Sequence, residues 1–110
     1  MLEEIKRLVK ILNEEIDLVI VEGKRDKRAL EKIGVKVMIC TLFSLKEELI
    51  PEGSRVLILT DFDREGKKLH ARLMRELKGR KINEWLRKEF SRVLGLYGRR
   101  TIESINNLLK

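Results

Sequence analysis

The amino-acid sequence predicts an α/β fold: a three-layer arrangement in which helices cover both faces of a short, mainly parallel sheet, continued by a C-terminal helical extension. Three observations support it. Short apolar runs alternate with segments of helical period in the order α-βα-βα-βα. Such alternation favours parallel strands joined by crossover helices. Acidic residues also stand directly after the first and third apolar runs, at the strand ends where open parallel sheets hold their ligands.

In chain order, Leu2, Ile5, Leu8, Val9 and Leu12 recur at helical spacing among charged residues and predict an opening amphipathic helix. Asp17 to Val21 (DLVIV) is a continuous apolar run suited to a strand buried on both faces, and Glu22-Gly23 turns out of it. A helix from about Asp26 to Lys32 is stopped by Gly34, and Val35 to Thr41 supplies a second strand. Ser44 is expected to cap a short helix carrying Leu45, Leu49 and Ile50, closed by Pro51 and Gly53. Arg55 to Thr60 (RVLILT) reads as a third buried strand. It runs into Asp61-Phe62-Asp63-Arg64-Glu65-Gly66 and a basic helix to about Lys78, on which Leu69, Leu73 and Leu77 form a buried stripe.

Beyond Gly79, the residues Ile82, Trp85, Leu86, Phe90, Val93 and Leu94 have helical spacing, which places Trp85 and Phe90 in the core. Gly95 and Gly98 interrupt that helix before a last one near Thr101. No fourth strand is expected. Without repeats or linkers, residues 1–110 read as one domain, with a core at about 17–78 and a helical extension at about 82–110.

Composition narrows the functional classes. With 43% hydrophobic and 39% charged residues, the chain is suited to a packed fold and not to a disordered tail. A single cysteine, Cys40, lies in an apolar run, which excludes an internal disulfide framework and predicts a buried thiol in a reducing compartment. The acidic start Met-Leu-Glu-Glu lacks the basic segment of a secretory signal, and no apolar run approaches the ~20 residues of a membrane span. A cytoplasmic protein with no membrane contact is expected. Net charge is +7 and unevenly placed: residues 1–63 carry 11 basic and 13 acidic side chains, residues 64–110 carry 14 and 5. Such a basic region fits a nucleic-acid partner.

The acids carry the chemistry. Asp61 and Asp63 point the same way in extended backbone, and Glu65 opens the following helix. With Glu22 from the neighbouring loop, these groups are expected to converge. Each pair of carboxylates about 6 Å apart repels by roughly 3 kcal/mol at an effective dielectric of ~20. A hard cation such as Mg²⁺, held by one or two carboxylates and completed by water and substrate phosphates, offsets that repulsion; a raised proton affinity is the other remedy. A lone acid after a strand is ordinarily a helix cap, and Asp26 fits that plain role. Capping needs one acid per helix, however, and not a cluster beside a second loop.

Two segments then resemble one family. VEGKRDKRAL at 21–30 is similar to the Glu-Gly motif of Toprim domains, and LTDFDREG at 59–66 to their Asp-x-Asp motif, in the Asp-x-Asp-Arg-Glu-Gly form of type IA topoisomerases. The resemblance covers roughly residues 17–78. It implies a Rossmann-like Toprim fold in which Glu22 is a general acid/base and Asp61 and Asp63 bind Mg²⁺, with Glu65 matching the third acid and Mn²⁺ as a substitute metal. This chain has no room for a strand-passage gate, and its one Cys and one His cannot form the Cys-rich zinc site of a bacterial primase. What remains resembles the small archaeal Toprim proteins and the Toprim portion of ribosomal-RNA-maturing ribonucleases.

Lys24, Arg64 and Lys67 adjoin the acidic motifs and are expected to meet phosphates, with Lys68, Arg72 and Arg75 continuing a cationic face of the long helix. The plain alternative is a solvated helix face. His70 reads as a partly buried helix residue. The expected function is metal-dependent phosphodiester processing of RNA or DNA, nuclease-like; the alternative is a non-catalytic module that binds metal and nucleic acid within a ribonucleoprotein or repair complex. Either reading leaves room for a protein partner chain.

Overall fold

The computed structural model describes residues 2–108, and of Leu2 only the helical backbone; the place of the Leu2 side chain in the apolar stripe lies outside what is described. The elements are α1 (Leu2–Glu15), β1 (Leu18–Val21), α2 (Lys24–Lys32), β2 (Met38–Thr41), β3 (Arg55–Ile58), α3 (Arg64–Glu76), β4 (Lys81–Ile82), α4 (Glu84–Leu96) and α5 (Ile105–Leu108), with a single 3-10 turn at Glu47–Leu49. All strand pairs are parallel, in the order β2-β1-β3-β4.

Successive strand residues face opposite ways, and the core divides accordingly. Val19, Val21, Leu57 and Leu59 pack with Ile5, Leu8 and Leu12 of α1, Leu30 of α2 and Phe90 of α4. Leu18, Ile20, Val56 and Ile58 pack with Leu73 and Leu77 of α3 and with Ile50. The chain therefore leaves β1 for β2 over one face and returns to β3 under the other. Strand order reverses between β1 and β3, the point at whose C-terminal ends open parallel sheets form their ligand crevice. Glu22 and Asp61 lie just beyond those two strands.

At the opposite edge, Arg55 ties the start of β3 to the start of β1. Its guanidinium donates to both carboxylate oxygens of Asp17 at 3.0 and 2.9 Å, its backbone N–H adds a bond of 2.8 Å, and it also donates to the Glu14 carbonyl at 3.3 Å.

Several local expectations are corrected. A fourth strand exists: Lys81 and Ile82 pair with Arg55 and Val56, and the Asn83 N–H extends the ladder to the Val56 carbonyl at 2.8 Å. Ile82 thus belongs to a strand, and α4 begins two residues later, capped by the Asn83 side chain, which accepts from the Leu86 N–H at 2.8 Å. Trp85, in the first turn of α4, is 51% exposed and not core, whereas Phe90 is buried as expected. Ser44 caps nothing: its N–H and hydroxyl bond to Thr41, and the following turn starts after Lys46 without a side-chain cap, leaving Leu49 71% exposed. β2 is shorter than the run from Val35, Leu69 and Cys40 are only partly buried, and α5 starts at Ile105, not near Thr101. Gly95 lies inside α4; the helix is ended by Gly98, whose φ of 68° lets the Arg99 and Gly98 N–H groups bond back to Leu94 and Gly95.

Candidate functional site

The site forms where the loops after β1 and β3 meet. The Asp61 N–H donates to Glu22 Oε2 at 2.7 Å, so the two acidic motifs are joined directly across the crevice. Two further bonds tie the same loop to the segment before α5: the Ile102 N–H donates to Asp61 Oδ1 at 2.8 Å and the Phe62 N–H to the Arg100 carbonyl at 2.6 Å. Asp63 is the N-cap of α3, its Oδ1 accepting from the Gly66 N–H at 2.8 Å. Thr60, fully buried, donates its hydroxyl to the Gly66 carbonyl at 2.7 Å, which locks the end of β3 against the first turn of α3.

Burial and crowding raise the proton affinity of these acids. Glu22 is pushed up from the ordinary glutamate range by burial, then by repulsion from Asp61, Asp26 and Asp63, with the Asp61 N–H opposing. Asp61 is pushed up by burial and by Asp63 and Glu103, against the Ile102 N–H, and Asp26 by burial and by Asp61. No ion pair among the described residues involves Glu22, Asp26, Asp61 or Asp63.

The acids that share this electrostatic environment are Glu22, Asp61, Asp63 and Asp26, with Glu103 acting on Asp61 and Asp26 from the segment before α5. Asp26 does cap as expected, accepting from the Gly23 N–H at 3.1 Å, yet it is also buried against the site. Glu65 stands apart: its side chain is 79% exposed and 3.8 Å from Lys68. Among the described residues no three such side chains converge tightly enough to form a finished metal cage. The donor set nevertheless fits Mg²⁺, which takes few protein ligands and keeps water and phosphate. Asp61 and Asp63 each have one oxygen fixed by a backbone N–H, as ligating carboxylates do, and the other free of bonds among the described residues.

Of the basic candidates, Lys24 opens α2 and Arg64 opens α3; both are exposed at the rim and, with Lys67 and Arg75, make no ion pair among the described residues. Lys68 is paired with Glu65 and Arg72 with Glu76 at 3.3 Å, as on a solvated helix face.

Arg87 was not anticipated. Only 7% exposed, its guanidinium donates to the carbonyls of Ile58 (3.1 Å), Thr60 (3.0 Å) and Asp61 (3.4 Å), with its charge 4.8 Å from the centre of the Phe62 ring. Burial depresses its pKa to about 10, with Glu22 and Asp61 pulling the other way, so it stays cationic behind the acids. Its signal in the sequence is an arginine set among Leu86, Phe90 and Leu94 on an apolar helix stripe.

Residues 17–93 match the Toprim domain family, a match that runs past the motif-bearing core through β4 into α4. The chain is 43% identical over 75 residues to a UPF0292 protein of Pyrococcus furiosus, covering 64% of this chain and 57% of that protein, so it spans little more than half of that relative's length. It is 38% identical over 94 residues to a UPF0292 protein of Thermococcus onnurineus, covering 80% and 71%, and 37% identical over 95 residues to one of Methanocaldococcus jannaschii, covering 79% and 73%. A solved structure of a protein from Aquifex aeolicus is similar with a TM-score of 0.70 and 27% identity, covering 93% of this chain and 94% of that one.

Proposed function

The chain belongs to the Toprim domain family, whose members are typically metal-binding domains of nucleases, topoisomerases and primases that act on nucleic acids, and from that premise we propose that it processes phosphodiesters in RNA or DNA hydrolytically with Mg²⁺. The observation that supports this best is the bond from the Asp61 N–H to Glu22 Oε2. It sets a carboxyl group of raised proton affinity beside two anchored carboxylates at the crevice of a parallel sheet.

Asp61 and Asp63 would hold the metal through the oxygens their backbone bonds leave free, and Glu65, exposed beside Lys68 in this structure, would have to turn inward from the first turn of α3 to join them. When bound, Mg²⁺, or Mn²⁺ in its place, supplies positive charge at the phosphate and relieves the repulsion among the acids. Glu22 serves as the catalytic acid/base, since a carboxyl whose pKa is raised by burial and by neighbouring acids holds a proton more readily than an ordinary glutamate and can still release it. Lys24, Arg64 and Lys67 bind substrate phosphates at the N-terminal ends of α2 and α3, where the helix dipoles also favour anions. Lys68, Arg72 and Arg75 extend that contact along α3.

The test is a cleavage assay on end-labelled structured RNA, single-stranded DNA and duplex DNA with Mg²⁺ or Mn²⁺, comparing the protein with Asp63→Asn. Asparagine caps a helix as well as aspartate, so the variant keeps the Gly66 bond and loses only the charge. Metal-dependent product that falls by ~100-fold or more in the variant is expected from loss of a metal-binding carboxylate. Equal turnover would remove Asp63 from the metal set. Binding without product from any substrate would favour the non-catalytic metal- and nucleic-acid-binding module.

A further inference from the structure

Beside the Asp61–Asp63 loop lies a cavity of about 190 Å³, of whose lining the catalytic reading uses only Lys67. Phe62 forms one wall. Lys67 and His70 enter from α3, three residues apart, and Arg87, Lys88 and Ser91 from α4 at the spacing of one helix face. Its volume is below the ~300–1,000 Å³ of pockets that take whole small molecules, so it suits a group of phosphate size and not a nucleotide.

Its chemistry is that of an anion site. Three cations face it against one acid, Glu84. Lys67 and Lys88 are exposed and make no ion pair among the described residues, and the buried Arg87 bonds only to carbonyls there, so none of this charge is neutralised by a carboxylate bridge. His70 Nε2 is buried with no hydrogen-bond partner among the described residues. Buried polar atoms of that kind are few and call for a reason. Ser91 adds a hydroxyl donor.

We propose that this pocket between α3 and α4 is a second phosphate subsite that holds a terminal phosphate of the nucleic-acid strand engaged at Asp61 and Asp63. A terminal monoester carries about −1.5 to −2 charges near neutrality and three free oxygens, against one charge on a diester, and so makes better use of the three cations and the imidazole. The assignment to a strand end rests on the nucleic-acid reading of the site; free inorganic phosphate has the same chemistry and is separated by experiment. Burial holds the His70 pKa below its usual value, with Arg87 adding to that and Glu84 opposing, so a bound dianion would move it upward.

The chain has one histidine, so its imidazole proton signals in an NMR spectrum need no assignment. The protein is titrated in chelator, at ionic strength held constant with sodium chloride, with inorganic phosphate and with one trinucleotide bearing a 5′-phosphate, a 3′-phosphate or neither. A saturable His70 shift is expected with a phosphorylated trinucleotide, at lower concentration than with inorganic phosphate, and weakened roughly tenfold or more by Lys88→Glu, the loss of a charge-assisted contact. Lys81→Glu, at the far edge of the sheet, should leave it unchanged.

Equal shifts with the unphosphorylated trinucleotide, or none with any phosphate, would overturn the subsite. Inorganic phosphate binding as tightly as either phosphorylated strand would overturn its assignment to a strand end. Because the readout needs neither metal nor turnover, its failure is distinct from failure of the cleavage assay.

Discussion

Gly66 has no room for a side chain. A Cβ there would overlap the Asp61 carbonyl and stand 2.8 Å from the Asp61 Cα, because the first turn of α3 is pressed against the loop that carries both aspartates. Gly66→Ala adds about 1 kcal/mol of helix propensity but forces backbone apart, an overpacking cost of ~1–3 kcal/mol or more. The variant should unfold at lower denaturant than the parent and lose most of its turnover, since the turn cannot shift without moving Asp61 and Asp63. Gly95→Ala is the matched control: it is also helical, exposed and has nothing within 4 Å of a Cβ. It should stabilise the protein by ~0.5–1 kcal/mol in the same melts, and destabilisation would show that α4 is constrained at Gly95 in a way the packing does not reveal. The positions of Glu22, Asp61 and Asp63 were legible in the sequence because each follows an apolar strand. The role of Asp26 beside Asp61 and the anchor from the Ile102 N–H were not, since both arise from contacts between segments far apart in sequence, and a local cap explained Asp26 fully at that level.

Among the elements, those with several turns or a continuous apolar run were legible, and β4 was not: two residues have no period to read. Its brevity explains Arg87. The carbonyls of Val56, Ile58 and Thr60 point from the same side of the strand, and the ladder beyond β3 ends with the Asn83 N–H on Val56. Arg87 takes the next two with one nitrogen, doing for this edge what a longer fourth strand would do. Arg87→Met keeps the bulk but strands two buried acceptors, at ~1–3 kcal/mol each. A loss of about 2–4 kcal/mol in a urea melt is expected, and a loss within 0.5 kcal/mol would mean that water replaces the guanidinium at no cost. At the other edge, the Asp17–Arg55 clamp sets an acid dependence. Hydrogen bonds from Arg55 lower the Asp17 pKa from 3.8 to about 2. A carboxyl depressed in the folded state gives stability that is complete above its unfolded pKa and vanishes as pH falls through its folded one. The thermal midpoint should therefore fall between about pH 4 and pH 2 less steeply in Asp17→Asn than in the parent, and parallel profiles would remove the clamp as a cause.

Across the whole molecule, basic residues stand both beside the acids and far from them. The excess of base over acid lies in residues 64–110, and the N-terminal ends of α2 and α3, with Lys24 and Arg64, flank the acids at the C-terminal edge of the sheet. Lys81, opposite Arg55 in register, stands at the other edge. An acidic cluster repels a polyanion unless cations at its rim outweigh it, so nucleic-acid affinity should rest on those rim cations and show it in salt dependence. Each single-strand phosphate neutralised contributes about −0.7 to the slope of log K against log salt. Lys24→Ala and Arg64→Ala should each weaken binding and flatten that slope by roughly 0.7, measured by fluorescence anisotropy between 50 and 200 mM salt, whereas Lys81→Ala should change neither. If Lys81→Ala flattens the slope as much as Arg64→Ala, the strand is held by the overall positive charge of the chain, and the acids at the crevice do not mark where it lies.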